Sequence, residues 1–504
     1  MKILYAASEV APFIKTGGLG DVAGSLPKAL AAKGHEVAVI CPLYCQIKPE
    51  WRDKMYYLRN LYVQVAWRSQ YCGIFVYEAD GVKYYFLDNE YYFARNSVYG
   101  EYDDAERFAF FSRAILEMLP AIDFHPDVIN CNDWQTALVP VYYGLDYNCR
   151  PWYSNIKTVF TIHNIQFQGQ YGREILDYVL GIDDHHFQNG FMQQDGDVNL
   201  MKAAIVCSDR VTTVSQTYAQ EIQTAFYGFR LDAVLRWNQG KVCGIVNGID
   251  VDAFNPETDP HLFKNYGINS LDDKKVNRSE LLKMCGLEAS DETMVIGMVG
   301  RLTSQKGLDL VQCVLNDILE KDVRMVVLGT GDYDYEQMFM RAKWEHPDKI
   351  STNIMFSADL ANKIYAGCDL FLMPSLFEPC GLAQMIVSYF MAKKEGVPKE
   401  PGHFTIGPVL HGLWESWPAL LMPIIIYGAI YGGFCTVTEA GAVSCVYGIL
   451  YFAVLKIINK KKIQITFWRC CAIAGASTAV IGLLNAFSAV AGKVMTLAGI
   501  SSFL

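Results

Sequence analysis

The 504-residue chain is long enough for two or three domains with sizeable cores, and its net charge of −10 excludes a general nucleic-acid binder, which needs a basic face. From Val387 onward basic residues outnumber acidic ones by nine to four, so the preceding part carries about −15. The fifteen cysteines are scattered without paired CxxC spacing, which argues against a disulfide scaffold or a metal site and for reduced thiols in a cytoplasmic body.

The opening MKILYAASEV reads as a buried strand rather than a signal peptide, because its apolar run is short and carries a single lysine. KTGGLGD follows as a turn that opens a helix through SLPKALAAKG, closing on Gly34, and HEVAVICP is the next strand. This is a βαβ unit of a doubly wound sheet. The rhythm continues through DVINC, KTVFTIHNI, DRVTTVS and KVCGIVNGI, then, after a polar stretch, through MVIGMVG, RMVVLG and DLFLMPS. Two series of parallel-sheet signals predict two Rossmann-like domains, with a hinge near Gly248–Pro256.

Mean hydropathy is +0.13 and 52% of residues are hydrophobic, high for a soluble chain of this size. The excess sits in three runs, Trp417 to Cys435, Thr436 to Leu455 with only Glu439 charged, and Cys470 to Gly492. Each is roughly 20 residues, the length that spans a bilayer as a helix; buried helices of a soluble core are the other reading.

Charged groups stand where strands end, the ligand edge of an open α/β sheet. In Lys15-Thr16-Gly17-Gly18-Leu19-Gly20-Asp21, glycines let the backbone approach a ligand. The helix start offers unpaired N–H groups, and a lysine beside them pairs with phosphate. A tight turn with a solvated lysine fits the same residues. Arg301 follows MVIGMVG directly and Lys306 lies five residues on; cations there suit a diphosphate leaving group. Glu378 sits beside Pro379 and Gly381 after an apolar strand, placed rather than merely solvated. His163 ends another strand and fits either a site or a satisfied structural group, while Asp133 fits either a site or the cap of a helix starting at Trp134.

In combination, KTGGLGD, NDW, TIHNIQFQG, GIVNGID, GRLTSQKG and SLFEPCGL, in this order over residues 1 to about 385, resemble the bacterial glycogen synthases and plant starch synthases. That resemblance implies a two-domain GT-B architecture. It also implies transfer of glucose from ADP-glucose, as co-substrate, to the non-reducing end of an α-1,4-glucan. Anomeric configuration is retained by a front-face mechanism, with no cofactor and no metal. Residue by residue, it implies that Lys15 binds ADP-glucose, with Gly18 and Asp21 in the same loop. Asp133 and His163 fall beside the transferred glucose, Asn247 in the interdomain cleft, Arg301 and Lys306 on the diphosphate, Glu378 beside the reacting sugar and Phe356 on the adenine.

After EPCGLAQ the resemblance calls for a strand and a Thr-Gly-Gly phosphate-gripping loop, and the chain instead reads MIVSYFMAKKEGVPKEPG. From about residue 384, SYFMAKKEG, ALLMPIIIYGAIYGGF and TVTEA resemble the large membrane subunit of a tripartite TRAP-type transporter. The expected domains are therefore 1–245, a truncated second Rossmann-like domain at 246–386, and an all-α transmembrane segment at 387–504 entering the membrane through 417–492. No linker marks the junction near Met385–Val387, which makes the chain read as a chimera with impaired synthase activity. Lysines 393, 394 and 399 before the first run and 456 and 460–462 after the second predict a multi-pass protein with its synthase portion cytoplasmic.

Overall fold

A computed structural model of the protein describes residues 1–395, apart from 268 and 271. The apolar runs expected to enter the membrane, Glu439 among them, lie outside the described residues. Among the described residues no helix is long and apolar enough to cross a membrane.

The N-terminal half is built on β1 (Lys2–Ala6), β2 (Glu36–Pro42), β3 (Tyr56–Val65), β4 (Arg68–Ala79), β5 (Val82–Asp88), β6 (Val128–Asn132), β7 (Lys157–Ile162), β8 (Arg210–Thr213) and β9 (Val242–Gly244). They form one sheet in the order β9-β8-β7-β6-β1-β2-β5-β4-β3. The strands from β9 to β5 run parallel. The central strands are covered on both faces, which is why KILYA and EVAVICP are almost continuously apolar.

The sheet is not wholly parallel, as the apolar runs alone predicted. β3 and β4 extend it as an antiparallel hairpin onto β5. Their pattern alternates, with Val63 and Val65 buried while Tyr62 and Gln64 face solvent, as one-sided burial requires. Helices α1 (Gly18–Ala32) and α2 (Asp104–Ala121) pack on this sheet. α2 buries Arg107 completely. Its Nη1 lies 2.5 Å from Asp104 and 3.3 Å from the Val98 carbonyl oxygen, and its Nε donates to the Tyr92 carbonyl at 2.7 Å, pairing that a buried charge needs, while Nη2 has no hydrogen-bond partner among the described residues.

The second half carries β10 (Met294–Val299), β11 (Val323–Leu328), β12 (Ile350–Asn353) and β13 (Leu370–Phe371), all parallel in the order β12-β11-β10-β13. Helices α3 (Asp272–Met284), α4 (Leu308–Leu319), α5 (Tyr333–Glu345) and α6 (Ala358–Gly367) alternate with the strands. Leu308, Val311, Leu315 and Leu319 of α4 recur at helical spacing and close the core on one face, while Leu281 of α3 with Leu360 and Ile364 of α6 close it on the other. Among the described residues β13 is an edge strand of two residues. Helix α7 (Leu382–Glu395) runs without a break through the expected boundary at 386/387, and Ile386 and Val387 bury against Leu262, Tyr266 and Tyr365.

Candidate active site

The end of β1 delivers the chain into residues 7–17, which fold back before α1 begins; the Ala11 N–H donates to the Gly20 carbonyl at 2.9 Å. In this loop the Lys15 ammonium lies 2.7 Å from Asp21. Burial raises the Asp21 carboxyl above its ordinary range; Lys15 opposes the shift and Asp250 adds to it. A Cβ on Gly18 would lie 2.9 Å from Leu382 Cδ1, so the loop lies directly against α7 of the second half. The amides expected to be open to a ligand phosphate are in part already taken. Glu9, 3% exposed, accepts hydrogen bonds from the Thr16 N–H and, at 2.7 Å, from the Thr16 hydroxyl, and the Gly17 and Gly20 amides also turn toward it.

Asp133 follows the last residue of β6, with φ of +56°. It does not cap the turn that starts at Trp134. Its carboxylate instead accepts from the backbone N–H of His163 at 2.7 Å and of Asn164 at 3.3 Å, tying the ends of β6 and β7 together. Burial pushes its pKa up to about 7; the two amides and Arg301 resist this, and the charge of Glu9 adds to it.

The His163 Nε2 is 2.9 Å from Asn132 Oδ1. Asn132 gives its Nδ2 hydrogens to the Ala6 carbonyl (2.9 Å) and Asn130 Oδ1 (2.8 Å), and its Oδ1 receives the Tyr5 hydroxyl at 3.1 Å. That leaves Oδ1 as acceptor and places the imidazole hydrogen on Nε2. Burial lowers the His163 pKa to about 4, so the ring is neutral at physiological pH.

The two groups slope stability in opposite directions. The folded state holds the Asp133 proton up to about pH 7, so its contribution to stability falls as pH rises from about 4 to 7. The buried neutral His163 costs stability as pH falls below about 6.5, where the unfolded ring is protonated. Asp133→Asn keeps the acceptor oxygen and deletes the charge. It should raise the melting temperature at pH 8 by about 3–5 °C, from roughly 1 kcal/mol or more of relieved desolvation, and leave it nearly unchanged at pH 4. Thermal melts at the two pH values check this.

In the second half, Arg301 stands two residues beyond β10, with its guanidinium 5.7 Å from the Phe167 ring of the first half. The following 3₁₀ turn, Ser304–Lys306, is stopped by Gly307 at φ of +66°. Lys306 Nζ is 2.5 Å from Glu378 Oε1, which also accepts from the Ser375 hydroxyl at 2.5 Å. Both charged groups are about one-fifth exposed. Gln305 bridges the halves: its Oε1 accepts from Asn164 Nδ2, and its own Nε2 donates to the Phe377 carbonyl, both at 3.3 Å. The Phe377 ring belongs to the first half's core, against Tyr227 and Phe229.

Asn247 meets the Cys380 thiol through its backbone and side chain. Lys306 meets Glu378 and Asp133 meets the His163 amide, and the Asn164–Gln305 contact links the two pairs across one seam; Arg301 and Asn247 reach that seam through Phe167 and Cys380, and Gly18 brings the Lys15–Asp21 loop to α7. Phe356 stands apart from that contact chain, in the segment between β12 and α6, with its ring 63% exposed. Sequence reading missed Glu9, Gln305 and Phe377. An acid inside the apolar run from Ala6 to Phe13, and an amide and an aromatic within recognised motifs, were the available signals.

The fold is that of known glycosyltransferases. The chain superposes on the catalytic domain of starch synthase IV from Arabidopsis thaliana, bound to ADP and acarbose, with a TM-score of 0.73 and 33% identity over 80% of this chain and 85% of that one. The two parallel sheets and the seam between them therefore define a GT-B-like α/β glycosyltransferase. The family model of the starch synthase catalytic domain matches residues 2–237, and that of glycosyl transferases group 1 matches 293–393. The glycogen synthase of Geobacillus thermodenitrificans is 51% identical over 386 residues, 77% of this chain and 80% of that protein. That of Clostridium beijerinckii is 52% identical over 387 residues, 77% and 81% of the two chains.

The chain belongs to the glycogen synthase family and is a glycogen (starch) synthase by that relationship. The DctM component of the tripartite ATP-independent periplasmic transporter also matches, at residues 359–504. Where that match overlaps the glycosyltransferase match, at 359–393, α6 packs on α3 and β13 joins β10, so this part of the chain is built into the glycosyltransferase sheet.

Proposed function

We propose that the chain transfers glucose from ADP-glucose to the 4-hydroxyl at the non-reducing end of an α-1,4-glucan, with retention at the anomeric carbon. The observation that carries this reading is the Lys306–Glu378 pair at the carboxyl edge of the second sheet, joined to Asp133 and His163 through the Asn164–Gln305 contact. In the reaction the bond from C1 to the diphosphate oxygen breaks. The acceptor oxygen bonds to C1 on the same face, and its proton passes to the departing diphosphate. Arg301 and Lys306 supply the positive charge that the leaving group needs, so the step requires no metal. Neutral His163 and the carboxyl of Asp133 hold the sugar, Glu378 flanks the reacting carbon, and Phe356 offers a face to the adenine. The plant homologue's bound ADP supports the adenine nucleotide as donor.

We infer further that this is a synthase with low turnover. No Thr-Gly-Gly sequence occurs after EPCGLAQ, and losing a phosphate-gripping loop removes about 3–4 kcal/mol of transition-state stabilisation. Glucan elongation by the purified chain should run at least about 100-fold slower than by the Geobacillus thermodenitrificans relative under the same conditions; equal rates overturn the inference. Saturable ADP-glucose binding that disappears in Lys15→Ala supports the donor assignment. The DctM match favours a second reading, in which residues beyond 395 are a transporter fragment that tethers the synthase part to the cytoplasmic side of a membrane. Dicarboxylate uptake that depends on Glu439 would make the synthase part a passenger.

A further inference from the structure

The Lys15–Asp21 loop would be mobile if held only by its glycines, yet it is wound around a buried acid that the proposed reaction does not use. Glu9 follows β1 by three residues and is almost wholly enclosed. Its carboxylate takes the Thr16 hydroxyl at 2.7 Å and the Thr16 N–H, with the Gly17 and Gly20 amides directed to it as well. Gly17 presents its bare Cα to the same group, since a Cβ there would lie 3.7 Å from Glu9 Oε1. Successive N–H groups curled around one anion form a nest, the arrangement that binds free anions elsewhere. Here the anion is covalently part of the chain.

We propose that Glu9 is a positioning residue for the nucleotide-sugar loop: its carboxylate fills the nest of loop amides and so fixes Lys15 and Gly18 toward the second domain. The chemistry of the nest supports this. A carboxylate offers only acceptors to these donors, and hydrogen bonds to a charged acceptor in a low-dielectric site are about twice as strong as neutral ones. Burying the charge is unfavourable, and burial accordingly raises the Glu9 carboxyl above its ordinary value while the Thr16, Gly20 and Gly17 bonds draw it back. Such a group is retained where its geometry is needed. Two features tie that geometry to the donor site. Lys15 is the residue immediately before Thr16, and Gly18, immediately after Gly17, touches Leu382 of α7. A loop released from Glu9 loses both placements together.

The proposal rests on the ADP-glucose reading, and the experiment separates the two. Glu9→Gln preserves the side-chain shape but turns an NH₂ group toward amide donors. In the ligand-free full chain, hydrogen exchange at Thr16, Gly17 and Gly20 should rise about tenfold in Glu9→Gln, with exchange across β6 and β7 unchanged. By titration calorimetry ADP-glucose should bind about tenfold more weakly to the variant, and maltoheptaose equally to both proteins. Lys15→Ala added to Glu9→Gln should cost much less than Lys15→Ala alone, since both act through one placement. Unchanged loop exchange in a folded variant overturns the positioning role, as do losses that simply multiply in the double variant. Slow wild-type exchange with no wild-type ADP-glucose binding shows instead that the donor reading has failed, and the functional part of the proposal with it. Should Glu9→Gln melt globally, Thr16→Val, which deletes the hydroxyl contact alone, is measured in its place with the same two outcomes.

Discussion

Lys306→Ala is expected to weaken ADP-glucose binding by about 30-fold, read by titration calorimetry. A charge-assisted contact to a diphosphate is worth about 1.5–3 kcal/mol, which corresponds to roughly 10- to 100-fold in affinity. The free protein adds a second contribution. Lys306 is already engaged, 2.5 Å from Glu378, so an arriving diphosphate competes with a carboxylate for one ammonium. Among the described residues, removing the ammonium leaves Glu378 hydrogen-bonded by the Ser375 hydroxyl alone, and a partly buried carboxylate then faces the incoming negative charge. Glu378→Gln should behave in the opposite sense toward ADP: the competitor is gone, so ADP binds as well as or better than before while elongation falls. Equal losses of ADP affinity in the two variants would show that the pair is merely a structural bridge. Lys306→Arg should recover only part of the affinity, because a planar guanidinium does not reproduce a compact point charge on this short turn.

The parts of this architecture that were legible in sequence are those governed by local rules. Buried parallel strands read directly, because burial on both faces leaves runs such as KILYA and EVAVICP with almost no polar residue. The hairpin from Tyr56 to Ala79 did not stand out as an apolar run, since half of its residues, Tyr62 and Gln64 among them, belong to solvent. Arg301, Lys306 and Glu378 were visible because each comes soon after an apolar strand and adjoins Gly300, Gly307 or Pro379. What those residues do to one another was not visible. That Asp133 braces the end of β7 rather than capping a helix depends on a positive φ, and nothing adjacent to it in sequence imposes that conformation. The hydrogen on His163 Nε2 follows from a four-member network that joins His163 to Tyr5 of β1 and to Asn130 and Asn132 of β6. Closure of the two halves depends on Gln305 reaching Asn164, residues 141 apart in the chain. Pairings over that separation are a property of topology, which local composition does not encode.

Gly307→Ala should be the most damaging small substitution in the second half, lowering its melting temperature by about 10 °C. Two costs add at this position. The backbone sits at φ of +66° where the Ser304–Lys306 turn gives way to α4, and a left-handed conformation costs an L-residue about 1–2 kcal/mol. A Cβ at Gly307 would also fall inside contact distance of the Pro374 carbonyl oxygen, a backbone atom that cannot swing aside, and overpacking of that kind costs about 1–3 kcal/mol. Together these shift melting by roughly 3–4 °C per kcal/mol in a domain of this size. Gly34→Ala is the matched control: its φ is +85° and an added Cβ meets nothing within 4 Å, so only the conformational cost applies and the shift should be about a third as large. The consequence at Gly307 reaches the chemistry. Pro374 opens the segment in which the Leu376 N–H donates to the Gln305 carbonyl at 2.9 Å and Glu378 meets Lys306. Pushing Pro374 away separates the two charges that the proposed mechanism holds together. Gly307→Ala should therefore lose ADP-glucose affinity at temperatures well below its melting transition, whereas Gly34→Ala should keep it. Equal affinity in both folded variants would detach the glycine turn from the donor site.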